Sequence, residues 1–196
     1  MRAITLISAA LLAVAGCSGV RVVNNGEPRP ETATNTETAP PLPPTNTAHL
    51  ANAFDYVAHP NDEAAYYFTT PSGRWQCAIL PRVWAGCQSV GGGALGIAGA
   101  PATVPDSTGA ETTPNAVVIE PKGDAHFAVL DQPGFTLTPG PAKVLPFNRT
   151  LIVARFRCNV QEATGVSCVS EDSGSGFTFS AQGFLPTYTE VPVDAP

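Results

Sequence analysis

Two short segments that lie 81 residues apart place the strongest constraint on how this chain folds. Residues 74–79 read Arg-Trp-Gln-Cys-Ala-Ile, and residues 155–160 read Arg-Phe-Arg-Cys-Asn-Val. In each segment an aromatic residue, a cysteine and an aliphatic residue occupy alternate positions, and nine residues separate the cysteine from the next one. Strict alternation is typical of a β-strand with one buried face. The pattern therefore predicts a duplicated β unit.

The four cysteines of these units allow three disulfide pairings. We favour Cys77 with Cys87 and Cys158 with Cys168, because each pair then lies face to face across its own hairpin. Closing a loop of this size with a disulfide stabilises a fold by about 2–3 kcal/mol in the chain-entropy model. The alternative is a metal site, but zinc sites use shorter cysteine spacings. We therefore expect no metal and no cofactor.

The same pairing predicts the register of both hairpins. Ile79 faces Ala85 in the first, with the turn near residues 81–83. The turn of the second falls near residues 162–164 and is followed by Gly165, where a glycine can adopt a positive φ angle.

The rest of the region 49–188 is rich in turn signals. With 18 glycines and 20 prolines, the chain disfavours long helices. Further strands are predicted at 116–119, 125–130, 150–160, 166–170, 176–180 and from 183 onwards. We predict a mainly β fold, a small antiparallel β sandwich or open barrel built from two disulfide-closed hairpin units at about 66–90 and 147–180.

Three other segments are predicted to be less regular. Residues 49–57 could form a short helix with Leu50 and Phe54 on one face. Residues 91–115, rich in Gly, Pro, Thr and Ser, are expected to form a long mobile loop. The tail at 189–196 is expected to be loose.

The N-terminal segment has the pattern of an export signal. Residues 12–17 read Leu-Ala-Val-Ala-Gly-Cys and close a short apolar run that follows Arg2. The run is too short to cross a bilayer, which takes about 20 residues. It resembles the lipobox of bacterial lipoproteins, in which a peptidase cuts before the cysteine. That resemblance implies a signal peptide at 1–16, a diacylglyceryl group on Cys17 and anchoring at the extracytoplasmic face of the cell membrane.

Residues 17–48 have the composition of a tether. They are rich in Thr, Pro and Asn and contain few large apolar side chains. Such a segment cannot bury enough surface to offset its backbone entropy, so we predict that it is disordered. It would act as a spacer between the lipid and the β domain.

The charge balance excludes one class of partner. The chain has 10 Lys plus Arg against 16 Asp plus Glu, a formal net charge of −6. Nucleic-acid binding depends on clustered cations that neutralise phosphates. We therefore expect no nucleic-acid partner. The expected partners are the membrane, through the lipid, and a cell-wall component or another exported protein.

Motifs at both ends of the domain resemble those of a known group. Residues 70–73 read Thr-Pro-Ser-Gly ahead of the first cysteine pair, and residues 174–177 read Gly-Ser-Gly-Phe behind the second. This arrangement is similar to that of small actinobacterial secreted proteins and lipoproteins, over about residues 66–185. The long Gly/Pro-rich insertion after Cys87 departs from their pattern. The resemblance implies an exported protein and carries over no activity and no functional residue.

Few residues are candidates for a functional site. Tyr66, Trp75 and Trp84 could form an aromatic platform for a wall glycan, although aromatic residues beside a cysteine strand more often belong to the core. His126 follows Asp124 by two residues and could pair with its carboxylate, although a structural histidine is the commoner case. The sequence contains no G-x-S-x-G nucleophile motif.

The sequence thus predicts a lipid-anchored, non-enzymatic envelope lipoprotein whose β domain binds an envelope component or an exported protein. One alternative is an envelope hydrolase that uses His126 with a carboxylate. Another is a structural surface lipoprotein without a specific ligand.

Overall fold

The computed structural model describes residues 46–196. The predicted signal peptide at 1–16, the lipidation site Cys17 and most of the tether at 17–48 lie outside the described residues. None of the helices in the described part of the chain has the length and hydrophobicity of a membrane span.

Short strands are the main regular structure of the described chain, so the predicted mainly β fold is confirmed. Two 3-10 helices, Ala53–Asp55 and Pro60–Asp62, lie near its start. The strands are β1 (Val57–Ala58), β2 (Ala65–Thr69), β3 (Trp75–Leu80), β4 (Trp84–Ser89), β5 (Val104–Pro105), β6 (Glu111–Thr112), β7 (Ala116–Ile119), β8 (His126–Ala128), β9 (Arg149–Val153), β10 (Phe156–Gln161), β11 (Gly165–Ser170), β12 (Gly176–Ser180) and β13 (Gly183–Leu185).

The strands form two antiparallel sheets that pack face to face as an open sandwich. The first sheet has the order β1-β2-β3-β4-β7-β8, and the second has the order β13-β12-β11-β10-β9. Strands β5 and β6 pair separately as a small hairpin. Side chains from the inner faces of both sheets form one hydrophobic core, as alternating strands require. Within it, Trp75 of the first sheet meets Phe179 of the second edge-on, with ring centroids 5.1 Å apart.

Both predicted disulfides are present. Cys77 lies opposite Cys87 on β3 and β4, and Cys158 lies opposite Cys168 on β10 and β11. The Cα atoms are 4.0 Å apart in the first pair and 4.1 Å apart in the second. All four cysteines are fully buried in the core between the sheets.

The predicted hairpin registers are also confirmed. Ile79 pairs with Ala85 across the first turn. Gly165, which follows the second turn, has a φ angle of 90°. A Cβ atom at this position would overlap the backbone oxygen of Phe179, so both the backbone angle and the close approach require glycine.

The duplication extends further than the sequence pattern predicts. In each half, five consecutive members of one sheet form a meander with the cysteine strands second and third: β2-β3-β4-β7-β8 and β9 to β13. Cys77 faces Phe68 on the first strand of its half, and Cys158 faces Leu151 on the first strand of the other. The repeated unit is therefore a whole sheet, not a hairpin.

The single strand predicted at residues 150–160 is wrong, because the structure has two strands there. Residues 150–160 form two strands, β9 and β10, joined by a tight turn. Ala154 and Arg155 occupy the turn with φ angles of 49° and 68°. Such two-residue hairpin turns normally carry Gly or Asn, so the sequence gives no turn signal here.

The helix predicted at 49–57 is also wrong. Only the three residues Ala53–Asp55 are helical, in a 3-10 turn. Leu50 forms a bridge to Thr150 beside β9, which keeps this part of the chain extended. The predicted apolar face therefore does not form, and the side chains of Leu50 and Phe54 are 41% and 86% exposed.

The segment predicted as a mobile loop at 91–115 is attached to the sandwich. Leu95 and Ile97 are buried in the core. The Arg74 guanidinium donates a hydrogen bond to the backbone oxygen of Gly96 at 2.9 Å. The second half of the segment forms the β5–β6 hairpin. Two well-spaced aliphatic residues thus anchor a sequence whose composition is typical of a loop.

The tail at 189–196 is not loose, because it packs against the outer face of the second sheet. The side chain of Val191 is 1% exposed. The backbone oxygen of Thr189 accepts hydrogen bonds from the amide nitrogens of Asn159 and Gln161, at 2.9 and 3.1 Å. Buried side-chain amides on this sheet therefore hold the tail in place.

Replacing either cysteine pair with alanine, as Cys77→Ala/Cys87→Ala or Cys158→Ala/Cys168→Ala, should lower the free energy of unfolding by about 2–4 kcal/mol. The unfolded chain gains loop entropy and the folded core loses two buried sulfur atoms. Because the two sites are equivalent, we expect similar losses in denaturant unfolding. A loss below about 0.5 kcal/mol for either pair would contradict the assigned role of that disulfide.

Candidate functional site

The structure does not assemble the predicted aromatic platform. Trp75 is 6% exposed and lies in the core, and half-buried Tyr66 packs against the same core. Trp84 lies on the outer face of the first sheet, where it packs against Phe135 with ring centroids 5.7 Å apart. The three aromatic residues are thus divided between two faces of one sheet, and no single ligand can stack on all of them.

His126 does not meet the carboxylate of Asp124. The Nδ1 atom of the imidazole contacts the backbone oxygen of Asp124 at 3.0 Å. The carboxylate of Asp124 instead accepts a hydrogen bond from Ser175 Oγ at 3.0 Å. The pairing expected for a hydrolase is therefore not formed, and His126 is exposed.

The outer face of the first sheet carries two adjoining cavities, which we together call the groove. One, the apolar cavity, has a volume of about 810 Å³, and the other, the amide cavity, has a volume of about 550 Å³. Leu130, Asp131 and Gln132 line both cavities. Each volume lies in the range of known small-molecule sites.

The apolar cavity lies between β8, the β5–β6 hairpin and Trp84. Its apolar lining comprises Trp84, Val104, Pro105, Val118, Ala128 and Leu130, among others. Polar side chains, including His126, stand at its rim. The Nε1 atom of Trp84 is buried and has no hydrogen-bond partner within residues 46–196. Two of the residues singled out from the sequence, Trp84 and His126, therefore line the same cavity.

The carboxylate of Asp106, at the rim of the apolar cavity, accepts hydrogen bonds from residues of its own loop. It accepts hydrogen bonds from Thr108 Oγ1 at 2.7 Å and from the backbone N–H groups of Thr108 and Ala110. The Thr108 hydroxyl and these backbone groups lower the pKa of Asp106 to about 2. A carboxylate of such low basicity is a poor proton acceptor at neutral pH.

The amide cavity is lined mainly by uncharged polar groups, with Asp131 as its one acidic residue. Its side chains include those of Gln76, Gln88, Asn115, Gln132 and Thr136, and the glycine pair 91–92 adds backbone. Gln76 on β3 lies directly opposite Gln88 on β4. Facing residues on neighbouring antiparallel strands have Cβ atoms about 5 Å apart, so the two amides form one patch.

A segment of bends and turns, residues 131–137, crosses this outer face and is called the first strap. The ring of Phe135, which is fully buried, lies over Gly86, where an added Cβ atom would come within 2.6 Å of the ring. The backbone N–H of Phe135 donates to Gln88 Oε1 at 2.7 Å. Thr136 Oγ1 donates to Gln76 Oε1 at 2.6 Å. The first strap therefore occupies the oxygen atoms of both amides.

The nitrogen atoms of the same amides have no such partner. Within residues 46–196 no group accepts a hydrogen bond from Gln76 Nε2 or Gln88 Nε2. Gln88 is only 1% exposed, yet it lines the amide cavity. Both side chains line the amide cavity, so their NH₂ groups can donate to a ligand or to water there.

The second sheet provides a direct comparison. Residues 186–191, the second strap, cross its outer face after β13 as the first strap does after β8. Asn159 Nδ2 donates to the hydroxyl of Tyr188 at 3.0 Å and to the backbone oxygen of Thr189 at 2.9 Å. Burial raises the pKa of the Tyr188 hydroxyl, which keeps it protonated. The second strap thus accepts from the amide nitrogen on its sheet, whereas the first strap leaves its amide nitrogens open to the groove.

Sequence reasoning found Trp84 and His126 but missed Gln76 and Gln88. The two glutamines occupy outward positions of alternating strands, where a polar residue normally faces solvent. Gln76 and Gln88 line a cavity only because the first strap covers the outer face of the first sheet. Phe135, the residue that fixes the strap, lies in a Pro/Gly-rich segment that carries no strand signal.

Comparison of the chain with protein-family models, with curated proteins and with solved structures finds no match. Within the described residues, no group of three His, Cys, Asp or Glu side chains is placed to hold a metal ion. The groove thus places amide N–H donors and one carboxylate, that of Asp131, beside an apolar surface.

The Gly86→Ala substitution should lower the free energy of unfolding by about 1–3 kcal/mol, because the added methyl group would overlap both the backbone oxygen of Val117 on β7 and the ring of Phe135. The fluorescence of Trp84, which touches Phe135, should change with it. Gly183→Ala is the matched control, since a Cβ atom there meets nothing within 4 Å. A Gly86→Ala protein as stable as the Gly183→Ala protein would show that Phe135 does not fix the first strap.

Proposed function

We propose that this protein is an exported lipoprotein, held at the extracytoplasmic face of the cell membrane by a lipid on Cys17, whose β domain binds a component of the cell envelope. The ligand occupies the groove on the outer face of the first sheet. The role is one of binding, with the tether at 17–48 carrying the domain away from the bilayer.

Two independent features support export. The first is the lipobox-like segment 12–17, which ends in Cys17. The second is the pair of buried disulfides, because disulfides form and persist in oxidising compartments and are rare in the cytosol.

The groove is the observation that carries the binding role. It combines an apolar cavity with a patch of amide donors whose acceptors are missing from the described chain. The first strap holds its walls in place through Phe135 and Thr136. Preformed cavities with a few convergent polar groups are the usual architecture of ligand sites.

Sedimentation with purified envelope material from the source organism tests the proposal. Full-length protein in detergent micelles should sediment with this material. The Gln132→Trp variant should lose most of that binding, because Gln132 is exposed where the two cavities join and a large ring there fills the groove. Gln182→Trp, an equal substitution at an exposed glutamine outside the groove, should bind like the wild type.

Equal binding by the Gln132→Trp variant, or no binding by the wild type, would contradict the proposal. Pretreatment of the envelope with a protease or with a wall-degrading hydrolase distinguishes an exported protein from a wall component as the ligand. The anchor is checked in the same preparation, since a Cys17→Ser variant should move from the detergent phase to the aqueous phase. A variant that stays in the detergent phase would contradict lipidation of Cys17.

A further inference from the structure

On the basis of the proposed function, we infer that the groove binds an uncharged sugar that bears acetamido groups. The acetamido carbonyl and hydroxyl oxygens of the sugar accept hydrogen bonds from the amide nitrogens of Gln76 and Gln88. The apolar cavity beside them takes the apolar face of a neighbouring sugar ring.

The hydrogen-bonding state of the two glutamines sets the first requirement on the ligand. Their oxygen atoms are taken by the backbone N–H of Phe135 and the hydroxyl of Thr136. What remains at each side chain is an NH₂ group, which can only donate. The ligand must therefore present oxygen acceptors to this patch, and amide carbonyl oxygens are among the strongest neutral acceptors.

The absence of cations from the amide cavity sets the second requirement. Of the described residues, no Lys, Arg or His lines it. Its one acidic residue, Asp131, accepts a hydrogen bond from Ser107 at 2.7 Å. A phosphate or carboxylate ligand would meet no counter-charge and would lie near this carboxylate, so an uncharged ligand fits the site best.

The position of the cavity in the sheet argues for a sugar over a peptide. Gln76 and Gln88 lie on β3 and β4, and each of these strands is paired on both sides. A peptide therefore cannot add to the sheet here as an extra strand, the usual route by which backbone hydrogen bonds bind peptides to sheets. Recognition depends on side chains, and Asp131 and Thr136 can accept hydrogen bonds from sugar hydroxyls.

The adjoining apolar cavity completes the match. The half-buried ring of Trp84 lines it, together with aliphatic side chains. The C–H face of a sugar ring is apolar and packs on such surfaces, while the hydroxyl groups at its edge point away. A short oligosaccharide that spans both cavities would thus use the apolar wall and the amide patch together.

Calorimetric titration of the full-length protein in detergent micelles tests the inference. Chitotriose, an uncharged acetamido sugar, should bind, and cellotriose, which has the same backbone without acetamido groups, should bind at least about tenfold more weakly. The Gln76→Glu variant keeps the oxygen that accepts from Thr136 but loses the NH₂ donor, so it should bind chitotriose at least about tenfold more weakly than the wild type.

Gln182→Glu is the matched control for Gln76→Glu. The Oε1 atom of Gln182 also accepts from a neighbouring hydroxyl, that of Ser180 at 2.8 Å, but the residue lies outside the groove. This variant should bind chitotriose like the wild type. Thermal unfolding of both variants checks that each remains folded.

Equal binding of chitotriose by Gln76→Glu and by the wild type would overturn the inference. It would also be overturned if a blocked trialanine peptide bound in a Gln76-dependent way and chitotriose did not. If no probe binds while envelope sedimentation still depends on Gln132, the sugar class is wrong and the proposed function stands. If neither chitotriose binding nor Gln132-dependent sedimentation with the envelope is observed, both the inference and the proposed function are wrong.

Discussion

The packing of two disulfide-bearing inner faces against each other is the interaction on which the rest of this structure depends. Each sheet places its cysteine pair at the centre of the face it buries, so the core is closed by covalent links within each sheet and by apolar contact between them. Contacts such as that of Trp75 with Phe179 join the two halves. A domain of many short strands and few long apolar segments needs such cross-links, since its conformational entropy is high relative to the surface it buries.

Because the inner faces of both sheets fill the core, only side chains on the outer faces can contact a ligand. In each half, the chain returns across the outer face of its own sheet as a strap. Each strap contains an aromatic residue, Phe135 in the first and Tyr188 in the second. The second strap supplies acceptors for the amide of Asn159. The first strap supplies only donors, to the oxygens of Gln76 and Gln88, and two cavities remain beside it. The two halves of this duplicated scaffold thus differ in whether the strap accepts from the side-chain amide nitrogens of its sheet.

The sequence allowed the two disulfide-bearing hairpins at the centre of the core to be predicted. Alternation around Cys77 and Cys158, with equal spacing to the next cysteine, was enough for the disulfides and the hairpin registers, because strand period and cross-strand geometry are local properties. Local signals failed where tertiary contacts decide the conformation. Ala154 and Arg155 form a turn without a turn residue, and Val191 is buried by a sheet far away in the chain.

The groove could not be predicted for the same reason. Gln76 and Gln88 follow an ordinary outward pattern, and their role arises only when Phe135 packs over Gly86 and brings the first strap across them. Trp84 was identified as a candidate, but in a platform with Tyr66 and Trp75 that strand alternation divides between two faces. The segment that crosses the outer face of a sheet thus determines which of its polar residues line a binding site.

The most direct test of this account is the NMR signal of the two glutamine side chains. In ¹⁵N-labelled full-length protein, the NH₂ resonances of Gln76 and Gln88 should shift downfield together as chitotriose is added, because their protons gain acceptors. Resonances of Gln182, outside the groove, should not move. If the signals of Gln76 and Gln88 stay in place at saturating chitotriose, the amide patch is not a binding site and the account of the groove is wrong.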